Sequence, residues 1–423
     1  MTLPSIFRLA QQSAHHGLLA LALLAVPMVN AAPLTLEQAL NLAATHSPAL
    51  AAAEAQEQGA QAALTTAQIF QNPDVEISSG QASSRQTGNA SGGRIEMVGI
   101  SQLIELPSLR NARREGAEAG VTSGSAALES ARLNQRSAVK QAFFEVLRSL
   151  DASVLAAENH ALLLQIRNRV KLRVEVGEAA RYELVKSEAE TLAAESAARS
   201  AELRVTQARS RLRALIGAPL APSFEVVPEP LLPANLPVLS ELRLDMLAQQ
   251  PQLKVREAET RRAEAGVAQE RAARLPQPTI RLSFQREPDM SQWNIGVSLP
   301  LPLWNRRAGS VREAMANLQW VEAQTQQMHL GLLAELDQAY GRYEIAKGQV
   351  ETFESGLMKM AEGAMKVAEA AYHYGERGIL DYLDAQRVLR TTRMDYLNAR
   401  YELQAAMIDI ERLRATPIAG DPL

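Results

Sequence analysis

Asp381 and Asp384 stand three residues apart just past a glycine-bearing turn, a spacing that puts both carboxylates on one helix face. Repeated around a symmetry axis, the pair would make two carboxylate rings, an arrangement that favours cations at a constriction. The plainer reading, that both acids suit a helix N-terminus through its dipole, is compatible with the first. Met358, Met360 and Met365 could offer soft contacts to a metal ion, but methionine on a long amphipathic helix mostly serves packing. Past the first thirty-two residues the histidines are His46, His160, His329 and His373, scattered without partners at metal-ligand spacing. No catalytic constellation emerges, so neither an enzyme nor a bound metal or cofactor is expected. The absence of cysteine excludes disulfides, thiolate metal sites and a lipid anchor on an N-terminal cysteine. A formal charge of −3 gives no reason to expect nucleic acid.

The elements that position these residues are announced from the start of the chain. Arg8 precedes an apolar run from Gly17 to Val29 and the small residues Ala31 and Ala32, which predicts a signal peptide over 1–31, cleaved after Ala31. No later segment approaches the ~18 consecutive apolar residues of a membrane-spanning helix. If the mature chain crosses a bilayer, it must do so as a closed barrel. Aromatics make up only 4 % of the 423 residues, and Ala, Leu, Glu, Arg and Gln dominate long stretches, as in long helices.

Two halves superpose, 34–219 and 238–415, separated by a Pro-rich linker at 220–237 and followed by a tail at 416–423. Val176-Gly177 and Glu183-Leu184-Val185 answer to Tyr374-Gly375 and Asp381-Tyr382-Leu383 at the same spacing. Each half reads as a helix, two strands, a very long helix, a tight turn and a medium helix. Thr35 and Gln38 form a capping box opening a helix that runs to about Phe70. In the second half the helical stretch begins at Ser240 and is interrupted at the pre-proline residue Gln250. Strands are expected at about 73–81, 94–103, 278–287 and 291–299. Ile280, Leu282 and Phe284, and Trp293, Ile295, Val297 and Leu299, alternate with polar residues, so one sheet face is apolar. In the first half Val75 and Ile77 pair with Ile95, Met97 and Gly99, across a Ser- and Gly-rich loop from Gly80 to Gly93 expected to be mobile. Four strands cannot close a barrel around a pore, so several chains must pool them, and a trimer would supply twelve. Ser108 to Val176 and Asn305 to Tyr374 read as helices of roughly 100 Å.

Three segments carry a family resemblance: Leu34-Thr35-Leu36-Glu37-Gln38-Ala39-Leu40, the strand-to-helix passage Gly296 to Asn305, and Tyr374 to Gln386. With these the chain resembles the TolC-type outer-membrane efflux protein family, in its heavy-metal (CzcC-type) branch. The resemblance implies a mainly α fold with a small β part. Long antiparallel helical hairpins would accompany four antiparallel strands per chain, joined in a homotrimer with a twelve-stranded barrel in outer-membrane lipid. It further implies a helical tunnel in the periplasm, a periplasmic adaptor protein, an inner-membrane pump of the RND type, and passive conduction of substrates, heavy-metal cations above all. By position, Tyr372 and Arg377 would be gate residues bonded across neighbouring helix pairs, joined by Asp381, Asp384 and Glu183 as the first half's acidic partner. The turns at Gly177, Glu178, Gly375 and Gly378 would meet the adaptor. A drug exporter of the same architecture and a periplasmic helical adaptor are the alternatives.

Overall fold

The computed structural model describes residues 33–82, 92–228 and 236–416. The expected signal peptide, the expected mobile loop beyond Ala82, residues 229–235 of the linker and nearly all of the tail lie outside them.

The chain opens with α1 (Leu36–His46) and α2 (Pro48–Gln68). The Thr35 hydroxyl accepts from the Gln38 amide at 3.2 Å while the Thr35 amide donates to the Gln38 side chain at 3.1 Å, closing the capping box. The single helix expected to run to Phe70 is in fact two. Ser47, which precedes Pro48, is held extended at φ −68°, ψ 119°, because the proline ring disfavours helical geometry in the residue before it. The second half breaks in the same way between α5 (Leu239–Gln249) and α6 (Pro251–Ala272). There the interruption is put to use: the buried Gln250 amide donates to the Leu413 and Arg412 carbonyls at 3.0 and 3.3 Å, satisfying helix-end acceptors.

The first long helix, α3 (Pro107–Glu175), is an unbroken 69 residues and returns as α4 (Arg181–Ile216). The second is neither so long nor unbroken. It starts at Ala308 rather than near Asn305, after Arg307 at φ 54°, and runs as α7 (Ala308–Thr352). A π-turn at Phe353–Leu357 then separates it from α8 (Met358–His373). The turn holds a Ser355-Gly356 pair, and Gly356 leaves helical geometry altogether (φ 163°, ψ −24°). An extra residue in the hydrogen-bond ladder at such a pair kinks a helix whose apolar spacing still reads as continuous. The return helix is α9 (Ile379–Arg414).

Two cores occupy the middle of the molecule. Val139, Phe143, Val146, Leu212 and Ile216 meet α1 in one; Leu332, Leu336, Met407 and Ile410 meet Leu242 and Met246 of α5 in the other. The linker joins the first core instead of merely spanning: Phe224 and Val226 are buried, and Leu34 pairs with Val226. Between the halves, Lys140 Nζ lies 2.9 and 2.8 Å from the two carboxylate oxygens of Glu411, both side chains buried.

β1 (Asp74–Ala82), β2 (Gly93–Leu103), β3 (Thr279–Arg286) and β4 (Ser291–Ser298) form one antiparallel sheet in that order. Register rows run Val75, Ile100, Leu282, Ile295 and Ile77, Val98, Phe284, Trp293. Every one of these side chains is exposed. The other face carries Glu76, Gly99, Ser283, Asn294 and Ser78, Met97, Gln285, Gln292. β2 therefore presents Val98 and Ile100 to the apolar face, not Ile95, Met97 and Gly99 as expected. Apolar residues stand at both parities of this strand, and only pairing with β3 decides between them. β1 and β4 are open edges. Among the described residues no helix is long and apolar enough to cross a membrane.

Candidate functional site

The far end of the helices from the sheet is built from two matching turns. α3 ends with Gly177 at φ 80°, the Glu178 amide donating to the Arg173 carbonyl at 2.8 Å. α8 ends with Gly375 at φ 75°, the Glu376 amide donating to the Ala371 carbonyl at 2.9 Å. In each, a left-handed glycine lets the chain fold back and satisfy the last carbonyls of the helix. Gly378, at φ −78°, needs no such freedom. A Cβ at Gly375 would meet no neighbour within 4 Å, so its substitution carries backbone strain alone. Gly375→Ala should cost roughly 1–2 kcal/mol, while Gly378→Ala, which reproduces Ala180 of the first turn, should be near neutral; thermal unfolding of the two variants in detergent measures the difference.

A packed cluster sits directly behind these turns. Leu163, Ile166 and Val170 of α3, Met365 and Tyr372 of α8, and Ile379, Tyr382 and Leu383 of α9 form the third core. Tyr372 and Tyr382 stack with centroids 5.5 Å apart and planes 8° from parallel. The Arg173 guanidinium lies 5.4 Å from the Tyr372 ring centre, a cation–π geometry. The neighbouring Tyr372 hydroxyl raises the Arg173 pKa above its ordinary value, against the opposing effect of desolvation. Burial, and after it the charge of Glu369, push the Tyr382 phenol up to about 12, so it stays protonated throughout the physiological range. Arg169 Nη1 lies 3.2 Å from His373 Nε2, a second tie between α3 and α8.

The predicted residues fall into two groups. Tyr372 is buried within its own protomer against Tyr382 and Arg173. Arg377, Asp381 and Asp384 are exposed: Arg377 pairs with Asp381 at 3.6 Å and Arg387 with Asp384. Each carboxylate thus has an arginine on its own chain, and exposed pairs of this kind contribute about 0–1 kcal/mol. Glu183 lies in the first turn of α4, one of the charges acting on Arg173, and Glu178 stands 3.9 Å from Arg173. Met360 is exposed and Met365 packed in the tip core. No group of His, Asp and Glu among the described residues could hold a metal ion. Sequence reasoning missed Arg169, Arg173, Glu369 and Tyr382. A pair of arginines one helical turn apart and two tyrosines either side of a turn were the available signals.

Residues 39–218 and 242–415 match the family model described as outer membrane efflux protein. The cobalt-zinc-cadmium resistance protein CzcC of Cupriavidus metallidurans is 27 % identical over 395 residues, covering 92 % of this chain and 91 % of that one. Among solved structures, the outer-membrane channel OprN superposes with a TM-score of 0.79 at 17 % identity, covering 90 % of each chain. CusC superposes with a TM-score of 0.75 at 19 % identity, covering 90 % of this chain and 92 % of the other.

Proposed function

Since this chain belongs to the outer membrane efflux protein family, we propose that it is the outer-membrane exit duct of a tripartite efflux pump, a homotrimer that passively conducts heavy-metal cations. The observation that carries the reading is the sheet. Its apolar face is fully exposed and both of its edges are open, which suits lipid on one side and strands of further copies at either end. Three copies would pool twelve strands around a lumen lined by the polar face. The helices reach roughly 100 Å from this barrel and would wall a periplasmic tunnel. At its tip the turns at Gly177, Glu178, Gly375 and Gly378 would meet an adaptor, and Tyr372, Arg377, Asp381, Asp384 and Glu183 would form the gate beside an inner-membrane pump of the RND type. The metal substrate is supported by likeness to a cobalt-zinc-cadmium resistance protein across nearly the whole chain. A periplasmic adaptor would have no use for an exposed apolar sheet.

Single-channel conductance and oligomer mass, measured on one detergent-extracted sample, test the reading. Discrete, cation-preferring openings from a trimer support it; a soluble species that never inserts overturns it. Three variants sharpen the result. Ile295→Arg places a charge on the apolar face and should cost about 2–4 kcal/mol near the bilayer midplane, lowering the yield of assembled protein in outer membranes. The same change at its neighbour Asn294, on the opposite face, should leave that yield near wild type. Asp381→Asn with Asp384→Asn should reduce cation preference, read as a shifted reversal potential in a salt gradient; an unchanged potential would leave the two acids as helix-end residues only.

A further inference from the structure

A cavity of about 700 Å³ lies over α3 between α2 and α6, and ends at Ile69 to Asn72, the residues that lead into β1. Its walls are mostly Ala60, Ala63, Gly116, Ala117, Gly120 and Gly266. Glycine inside a helix is destabilising against alanine, and an added Cβ at Gly120 or Gly266 would meet no atom within 4 Å. Close helix packing therefore calls for neither glycine. At the end next to the sheet Phe70 is 60 % exposed, with the Arg110 guanidinium 3.9 Å from its ring centre. Across Arg262, Gly266 and Gln269, which line both, the space continues into a second cavity of about 550 Å³ between α6 and α7, where Trp320 is exposed. The charges around the two cavities are settled except one. Arg113 pairs with Glu105, Arg256 with Glu259 at 2.7 Å and Arg307 with Glu270 at 2.9 Å. Arg262 makes neither an ion pair nor a hydrogen bond among the described residues, and the larger cavity has no carboxylate in its lining.

We propose that the larger cavity binds an organic anion with an apolar body, on the wall of the duct where the helices meet the barrel. The proposal rests on the duct reading above. Arginine presents a planar fork of N–H donors that fits an oxyanion, whereas an unpaired guanidinium repels the cations that the acids at the tip would favour. The volume falls within the ~300–1,000 Å³ of small-molecule sites, and the lining has their composition: an apolar wall, an aromatic ring and a few polar groups that orient the ligand. Here those groups are Arg262 and the side-chain amides of Gln71, Asn72 and Gln269. The side on which the cavity opens follows from the sheet. The Ile104 amide still donates to the Pro278 carbonyl at 2.8 Å, so β2 keeps its alternation and Glu105 continues the row of Gly99, Ser101 and Leu103 on the polar face. Glu105 holds Arg113 in the cavity wall. The cavity therefore opens on the polar side, which is the lumen of the proposed barrel, and its occupant is a solute in the duct rather than a lipid outside it.

The test is calorimetric titration of the full chain in lipid nanodiscs, blanked against empty nanodiscs, with naphthalenesulfonate and with naphthol, its uncharged counterpart. The sulfonate should bind saturably and about tenfold more tightly than the naphthol, as a hydrogen bond to a charged group contributes. Arg262→Gln should bring the two affinities level, and Gly120→Leu with Gly266→Leu should abolish saturable binding of both. Arg262 is exposed and both glycines have open space at Cβ, so folding is not at stake, and an unchanged oligomer mass checks this. Equal affinities for the two probes in the parent, a preference that survives Arg262→Gln, or binding that survives the filled cavity overturns the site. A conducting trimer with no saturable binding also overturns it and leaves the exit-duct reading standing. A soluble monomer overturns the duct, and the luminal site with it.

Discussion

Replacing Tyr372 and Arg377 together by alanine should raise resting single-channel conductance more than any other change at the tip. The two side chains contribute unequally. Tyr372 is 6 % exposed, stacked on Tyr382 and capped by Arg173, so its removal empties a packed site shared by α3, α8 and α9. Truncating a buried aromatic costs roughly 3–5 kcal/mol. The pair between Arg377 and Asp381 is exposed, and its loss costs about 1 kcal/mol at most. Whatever share of that cost falls on the closed arrangement of the tip shifts its equilibrium towards open tenfold for every 1.4 kcal/mol or so. Tyr372→Phe separates the sources of that stability: it keeps the ring, the stack and the cation–π contact, and should conduct nearly as the parent does. Unchanged conductance in the double alanine variant would remove Tyr372 from the gate. A leaky Tyr372→Phe would shift the weight to its hydroxyl.

Lys140→Met should cost the helical body about 3–5 kcal/mol of stability, as much as emptying a buried aromatic site. Lys140 is 1 % exposed and Glu411 5 % exposed, and the ammonium reaches both carboxylate oxygens. Removing the cation leaves a carboxylate in a dry site, with the Arg136 guanidinium 4.0 Å away as a weaker substitute. Taking both charges away, as Lys140→Met with Glu411→Leu, should recover most of the loss, since an apolar pair of similar volume has no desolvation cost to offset. Thermal loss of helicity in detergent reads the order: parent and double variant close together, single variant well below. Equal melting of the single variant and the parent would mean that water reaches Glu411. The pair joins α3 of one repeat to α9 of the other, so its loss should also loosen the two halves from each other.

Repetition, helix ends and turns are local matters, settled by residues close together in the chain. The capping box at Thr35, the proline at 251 and the left-handed glycines at 177 and 375 each act on their own backbone and were legible in the sequence, whereas the break at Pro48, equally local, was passed over within a continuous helical pattern. Also legible were the four strands, with a clear period of two in the second half, and the need for more than one chain to close them. Even the π-turn left a local trace in Ser355-Gly356, although the steady apolar spacing around it masked the break.

Three features depended on partners distant in the chain. The face that β2 shows to the apolar side was undecidable along the strand, since only its register with β3 sets the parity. Burial of Tyr372 under Arg173 brings together a helix from each repeat, and the Lys140–Glu411 pair spans 271 positions. Sequence therefore determined the elements and the shape of their ends, because backbone preferences act over a few residues. The tertiary structure alone decided which faces meet and which charges are dry, because burial belongs to the packed assembly and not to any one segment.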